Sequence, residues 1–257
     1  MMAIELSVNI NKVATIRNTR PLNIPSVEHL SRIALEAGAK GITIHPRPDH
    51  RHIRPDDVGA LAALVGRYPG REFNIEGNPF LDYMPHIRQV RPTQCTLVPD
   101  STEQFTSDHG WSLTPETIVL LRPVIAEMRK LGCRVSMFMD ADSVEIEKCR
   151  DLGADRIELY TEPYARAYAR AAAMPKDGDA KGALQRSLDL YAHAAERASE
   201  VELGVNAGHD LNLQNLPAFA RRIPDLCEVS IGHALIADAL EYGMAETVRR
   251  YREACGG

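Results

Sequence analysis

GITIHP (41–46) is a short apolar run that stops on residues able to do chemistry, His45 and, just beyond it, Arg47. Seven other segments repeat the design: IELSVNI (4–10), EFNIEG (72–77), QCTLVP (94–99), RVSMFMD (134–140), RIELYTE (156–162), ELGVNAG (202–208) and EVSIGHA (228–234). Nearly all finish on or beside polar groups: Asn9 and Asn11, Glu76, Asp100, Asp140, Glu162, Asn206 with His209, and His233. Between the runs, apolar residues recur at three- and four-residue spacing, the mark of helices. In SVEHLSRIALEAG, Ser26 is the expected N-cap, Leu30, Ile33, Ala34 and Ala37 form one face, and Gly38 ends the helix. The next helix starts at Pro55, with Asp56 and Asp57 near the positive end of its dipole. Later ones are expected at roughly 80–90, 114–131, 142–153, 182–200, 213–222 and 235–254. Strand and helix alternate throughout, with no linker or composition shift, which predicts an α/β protein: one (β/α)8 TIM barrel with extra helices, spanning 1–257 as a single domain. Active sites of such barrels form at the C-terminal ends of the strands, so the polar ring reads as catalytic.

Composition narrows the class. Apolar residues make up 44% and charged residues 25%, ordinary for a soluble globular protein. A net charge of −5 argues against a nucleic-acid binder, and no apolar stretch is long enough to span a membrane. The start, MMAIELSVNINK, lacks the layout of a signal peptide, and five scattered cysteines without a C-x-x-C pair suggest reduced thiols, so a cytoplasmic location is expected. Three segments exceed what the barrel needs: a long first loop at 11–25 with Lys12, Arg17 and Arg20, a polar loop at 100–113 holding the only tryptophan, and a basic insertion at 163–181. Long loops on the catalytic face are usually lids or binding loops.

HPRPDHRHIRP (45–55) is the densest cluster, pairing a strand-end histidine with arginines that bind phosphate bidentately. The plain alternative is a solvated basic loop. Thr43, two residues before His45, should face the same side. Glu76 closes its strand as a candidate general base, or as a carboxylate paired with a core arginine. Glu158 sits mid-strand, where a charge is costly unless it faces the interior or has a partner; it suits either a cationic intermediate or a structural ion pair. VNAGHDLN (205–212) and SIGHALI (230–236) put His209 and His233 after glycines, following strands seven and eight, where this fold commonly binds phosphate at a helix N-terminus. No metal is expected, since H-E-x-x-H, a three-histidine cluster and a P-loop are all missing. No strand-end lysine is placed for Schiff-base chemistry; Lys12 and Lys40 are the nearest.

Taken in order, SVNINKVATIRNTR, GITIHPRPDHRHI, FNIEG, TLVPD, the Glu158 strand, VNAGHDL and SIGHALI resemble the pyridoxine 5′-phosphate synthase family of the deoxyxylulose-phosphate-dependent vitamin B6 pathway. The resemblance runs from about residue 4 to residue 250. It implies a (β/α)8 barrel with extra helices, assembled as a homo-oligomer from dimer to octamer, with no metal or organic cofactor. It also implies condensation of 3-amino-2-oxopropyl phosphate with 1-deoxy-D-xylulose 5-phosphate, with release of phosphate and two waters. Carried over by position, His45 and Glu76 become proton acceptors, His209 a proton donor and Glu158 the stabiliser of the cationic intermediate. Asn9, Arg20, Gly232 and His233 resemble residues that hold the amino-ketone phosphate; Asn11, Lys12, Arg47, His52 and Thr106 resemble those that hold the deoxyxylulose phosphate. Two places depart from the commoner pattern: Asn11-Lys12 stands for Asp-His, and Asp210 stands for glycine at a substrate-binding position. Asp210 should then point away from phosphate or pair with a base. The alternatives are another phosphosugar lyase or isomerase on the same barrel, and a non-catalytic barrel that binds a phosphorylated metabolite. Four separate acid–base groups speak against the last.

Overall fold

The computed structural model describes residues 4–104 and 106–256; the first residues of the expected signal-free start lie outside them. Eight parallel strands close on themselves in chain order: β1 (Glu5–Asn9), β2 (Gly41–Ile44), β3 (Glu72–Gly77), β4 (Gln94–Leu97), β5 (Arg134–Met139), β6 (Arg156–Tyr160), β7 (Gly204–Gly208) and β8 (Leu226–Ile231). All eight overlap the apolar runs: β3 coincides with its run, β8 starts two residues before its run and ends three short of it, and the other six are trimmed at one or both ends. Eleven helices surround them among the described residues: α1 (Asn11–Asn18), α2 (Val27–Glu36), α3 (Pro55–Val65), α4 (Met84–Val90), α5 (Pro115–Lys130), α6 (Ile146–Leu152), α7 (Glu162–Ala173), α8 (Gly178–Glu200), α9 (Leu216–Arg222), α10 (His233–Tyr242) and α11 (Met244–Ala254).

The period of two along a strand sorts the side chains. Leu6 and Val8, Ile42 and Ile44, Ile75, Leu97, Val135 and Met137 point outward and are buried against the helices. The inward positions differ from the usual apolar layers of this fold. Ser7 and Thr43 hydroxyls meet at 2.7 Å, the Asn74 amide donates to the Thr43 hydroxyl at 3.3 Å, and the Thr96 hydroxyl donates to Asn74 at 3.1 Å. Below them Arg134 donates to Gln94 at 2.8 Å and Arg156 to Asn206 at 3.0 Å, while Glu72 and Glu228 pair with these arginines. The barrel is therefore filled largely by polar groups that bond one another, the Ser136 hydroxyl and one Glu158 oxygen being left without a partner.

Local signals placed two helices as expected. Ser26 accepts from the His29 amide at 3.2 Å to start α2, and Pro55 opens α3, with the Asp57 carboxylate accepting from Arg54 N at 2.7 Å. Three expectations need correction. The first loop, 11–25, begins with α1 directly after β1, because Val13, Ala14 and Arg17 share one buried face. The 163–181 insertion is mostly helix: the alanine-rich α7, then a turn whose Asp177 caps α8. Its Tyr164, with Tyr191 of α8 and Phe219 of α9, forms an aromatic cluster under the extra layer. The single helix at 235–254 is two, broken at Gly243, which adopts a φ of +77° open to glycine.

Arg17 anchors α1. It is buried and donates to both Asp57 carboxylate oxygens, at 2.6 and 2.9 Å, and to the His52 carbonyl at 3.1 Å. Removing one partner of a buried pair strands the other's charge. Asp57→Ala is expected to lower unfolding free energy by about 3 kcal/mol in urea denaturation, against under about 1 kcal/mol for an ordinary surface pair.

Candidate active site

The strand ends open into one cavity of about 610 Å³. Of the residues singled out from the sequence, Asn9, Asn11, Lys12, His45, Arg47, His52, Glu76, Thr106, Glu158, His209, Asp210, Gly232 and His233 all line it. Arg20 does not: it lies exposed just past α1, outside the cavity wall of its own chain. Asn206 also stays below the mouth, bonded to Arg156 and Gln94.

His45 sits between two carboxyls, its Nδ1 3.8 Å from Glu76 and its Nε2 3.5 Å from Asp100. Burial, then the Arg47 charge, push its pKa well below the usual histidine value, so the ring is neutral at pH 7. Asn11 explains part of its placement: its side-chain oxygen accepts from the His45 amide at 2.9 Å. An aspartate at position 11 has the same acceptor, so this contact survives the departure from the commoner pattern. The Asn9 oxygen in turn accepts from Asn11 N at 3.1 Å, while its amide donates to Glu76 at 3.3 Å.

Glu76 also accepts from the Ser230 hydroxyl at 3.4 Å. Burial, and next the negative Asp100 nearby, raise its pKa to about 8. Glu158, 3% exposed, is shifted upward too, by burial and by Glu76. Its Oε2 has no hydrogen-bond partner, a rarity that calls for a functional explanation. A Cβ on Gly208 would stand 2.2 Å from Glu158 Oε1, so glycine is needed there to admit the carboxyl.

The rim opposite these carboxyls is basic. Arg47 pairs with the buried Asp100 and donates to the Gln104 carbonyl at 3.0 Å, and Lys12 and Arg51 line the same side. His52 is held neutral, its pKa lowered to about 3 by burial and by Arg47; its Nδ1 accepts from Ile53 N at 3.0 Å, leaving Nε2–H as the donor. Ser107 donates to Asp100 at 2.9 Å, which ties the 100–113 loop to Arg47. That loop is pinned where the Trp111 indole donates to the Leu97 carbonyl at 2.9 Å and Gly110 N donates to Asp140 at 3.1 Å.

Across the mouth His209 bridges two groups: Nδ1 to Asp210 at 2.6 Å and Nε2 to the Thr106 hydroxyl at 3.0 Å. Asp210 thus pairs with a base, as the sequence required, and His209 holds its carboxyl below the ordinary range. Both residues have positive φ, and the Thr161 hydroxyl supports their turn by donating to the Gly208 and His209 carbonyls. Gly232 and His233 stand at the start of α10, where free amides favour an anion. Sequence reasoning missed Ser107, Ser230, Val98, Phe138 and Tyr160 as wall residues; for the last four the only signal was their strand phase, shared with His45 and Glu76, and for the loop residue Ser107 there was none. Among the described residues no group of three or more His, Cys, Asp and Glu is placed to hold a metal ion.

Residues 6–257 match the family model described as "Pyridoxal phosphate biosynthesis protein PdxJ". The chain belongs to the PdxJ family. It is 52% identical to a pyridoxine 5′-phosphate synthase of Albidiferax ferrireducens over 97% of this chain and 96% of that one. Its identity to the synthase of Allorhizobium ampelinum is 50%, covering 99% of each, and to that of Brucella abortus 48%, covering 100% of each. Solved structures share the fold at low identity: a tryptophan synthase from M. tuberculosis (TM-score 0.64, 11% identity, 98% and 94% covered) and a 3-hexulose-6-phosphate synthase (0.59, 13%, 98% and 99%). These two establish the barrel alone.

The raised Glu76 pKa carries a stability consequence. A carboxyl at about 8 when folded, against 4.5 in its ordinary state, stabilises fully below 4.5 and loses that contribution as pH rises through 8. Glu76→Gln is therefore expected to raise the melting temperature at pH 9 by more than at pH 5; an equal change at both would contradict the assignment.

Proposed function

We propose that the chain makes pyridoxine 5′-phosphate by condensing 3-amino-2-oxopropyl phosphate with 1-deoxy-D-xylulose 5-phosphate, releasing phosphate and two waters. Family membership supports the activity. The observation that carries the chemistry is one cavity holding a neutral histidine, two buried carboxyls with raised pKa values, a second histidine and two anion-binding rims.

At rest Glu76 is largely protonated at neutral pH and Glu158 is shifted in the same direction by burial and by Glu76, so the two oppose the basic rim less than free carboxylates would. That suits two phosphorylated substrates. Arg47, Lys12, His52 and Thr106 hold the ketose phosphate in this reading, and Asn9, Gly232 and His233 the amino-ketone phosphate. Arg20 belongs to the second set by resemblance, yet stands outside the cavity of its own chain. When the amine adds to the ketone and water leaves, a cationic carbon–nitrogen centre forms. Positive charge in this low-dielectric space lowers both carboxyl pKa values. Glu158 then ionises as the counter-charge, and Glu76 accepts a proton beside neutral His45, the other acceptor. His209, oriented by Asp210 and Thr106, delivers a proton to the departing oxygen. Binding both substrates in one pocket supplies the proximity that the bimolecular step needs.

No described helix is long and apolar enough to cross a membrane, and a cytoplasmic location is part of the proposal. So is a homo-oligomer, from dimer to octamer, supported by exposed apolar side chains such as Leu22, Ile24, Val119 and Leu240. Neither a nucleic acid nor a cofactor has a role in it.

The test is an assay with both substrates, following pyridoxine 5′-phosphate by fluorescence and released phosphate in parallel. Equal amounts are expected. Phosphate without the ring product would mean a lyase; neither, with retained phosphosugar binding, would mean a binding barrel. His45→Asn and Glu76→Gln are expected to abolish turnover with the fold intact. Because Glu76 must be ionised to accept, kcat/KM should rise with pH toward a limb near 8. His45, neutral across that range, adds no limb of its own. A profile flat from about pH 6 to 9 would remove Glu76 from the acceptor role.

A further inference from the structure

Around the upper part of the barrel every second residue faces the cavity, and most are polar: Asn9, His45 and Glu76, with Ser230 from the far side. Three break the pattern. Val98, Phe138 and Tyr160, on adjoining β4, β5 and β6, form a buried apolar cluster of their own, separate from the main core. They nevertheless line the reaction cavity. The Phe138 and Tyr160 rings lie 5.5 Å apart, and Tyr160 meets the His209 ring edge-on at 5.2 Å. Phe138 is the register partner of Glu158, whose carboxyl, with its Oε2 unpartnered, also lines the cavity.

An apolar patch in an otherwise hydrogen-bonding chamber is a place for a group that cannot hydrogen-bond. The function proposed above brings one: the ketose phosphate ends in a methyl, at the opposite end of its five-carbon chain from the phosphate. With the phosphate anchored by Arg47 and Lys12 on the β2 side, the proposal runs the chain across the cavity so that this end meets the β4–β6 wall. The reacting ketone carbon, next to the methyl, then falls beside Glu158 and His209, the groups assigned to it on separate grounds. We infer that Val98, Phe138 and the ring of Tyr160 form the seat of the terminal methyl and make the enzyme discriminate against a ketose phosphate hydroxylated at that carbon. The inference rests on the proposed function.

Its physics is the asymmetry of burying a hydroxyl. A methyl gains from the apolar wall, whereas a hydroxyl placed against Val98, Phe138 and the ring face of Tyr160 gives up its water and meets only carbon. Apolar pockets of this kind reject a hydroxyl analogue by about 100-fold at most. The remaining atoms of the two ketoses are identical, and any difference in intrinsic ketone reactivity is the same for every variant, so the change in the discrimination ratio between the unaltered enzyme and a variant reports this wall.

The experiment compares kcat/KM for 1-deoxy-D-xylulose 5-phosphate and D-xylulose 5-phosphate, each with the amino-ketone phosphate, in the full chain. The unaltered enzyme should prefer the deoxy substrate by roughly 100-fold. Val98→Thr, equal in shape but with a hydroxyl, should narrow the ratio about tenfold, mainly through loss on the deoxy substrate, with KM for the amino-ketone unchanged. Val98→Ala, smaller but still apolar, should keep the ratio within about threefold while lowering both rates. Phe138→Tyr provides a second polar variant, expected to act like Val98→Thr should that one fail to fold. A ratio unmoved by the polar variants in an active enzyme, or no preference in the unaltered enzyme, overturns the methyl seat and leaves the function standing. No ring product from the deoxy substrate overturns the function and the seat together.

Discussion

Closure of the parallel sheet is the constraint on which the rest depends. A closed sheet has no edge and encloses its inner side chains, so each inward residue must find partners among the inward residues of other strands. Here that demand is met by hydrogen bonds rather than by branched apolar packing. Ser7, Thr43, Asn74 and Thr96 form a chain around one side, over the Gln94, Arg134, Arg156, Asn206 and Glu228 group below. Burial sets Glu228 to about 7 even with two arginines beside it. Asn9, His45, Glu76, Glu158 and Ser230 each stand two positions above a member of this network, which fixes their direction before any substrate arrives.

The same enclosure tunes the acids and bases. Burial lifts Glu76 and Glu158 and depresses His45 and His52, which moves all four toward their uncharged forms. Formal charge is left to Lys12, Arg47 and the rim. A site that is cationic at its edge and uncharged at its centre attracts anions and responds to positive charge generated inside it. The orphaned Glu158 oxygen and the glycine that makes room for it belong to that arrangement.

Asp100 joins the parts. It holds Arg47, lies close to His45, raises Glu76 and takes the Ser107 hydroxyl from the loop. Thr106 from the same loop reaches His209 on the opposite side. One loop therefore touches both the Arg47–Asp100 side and His209, and its end is pinned at Gly110 and Trp111.

The eight strands, their order and the polar ring were legible in the chain because apolar runs ending in polar residues are local patterns that closure turns into a mouth. The capped starts of α2 and α3 were legible for the same reason. The 11–25 and 163–181 segments were misread as loops because their helices are settled by distant partners: Arg17 by Asp57, Tyr164 by Phe219. Pairing the motifs placed His45, Glu76, Glu158 and His209 in one site, but not what surrounds each of them. Asn11 behind the His45 amide, Asp210 on His209, Arg20 outside the wall and the apolar cluster of Val98, Phe138 and Tyr160 became visible only in three dimensions. The sequence by itself determined which residues point inward, since strand period is a property of the backbone. Tertiary structure decided which of them meet, because contacts across a closed barrel join positions that no local pattern connects.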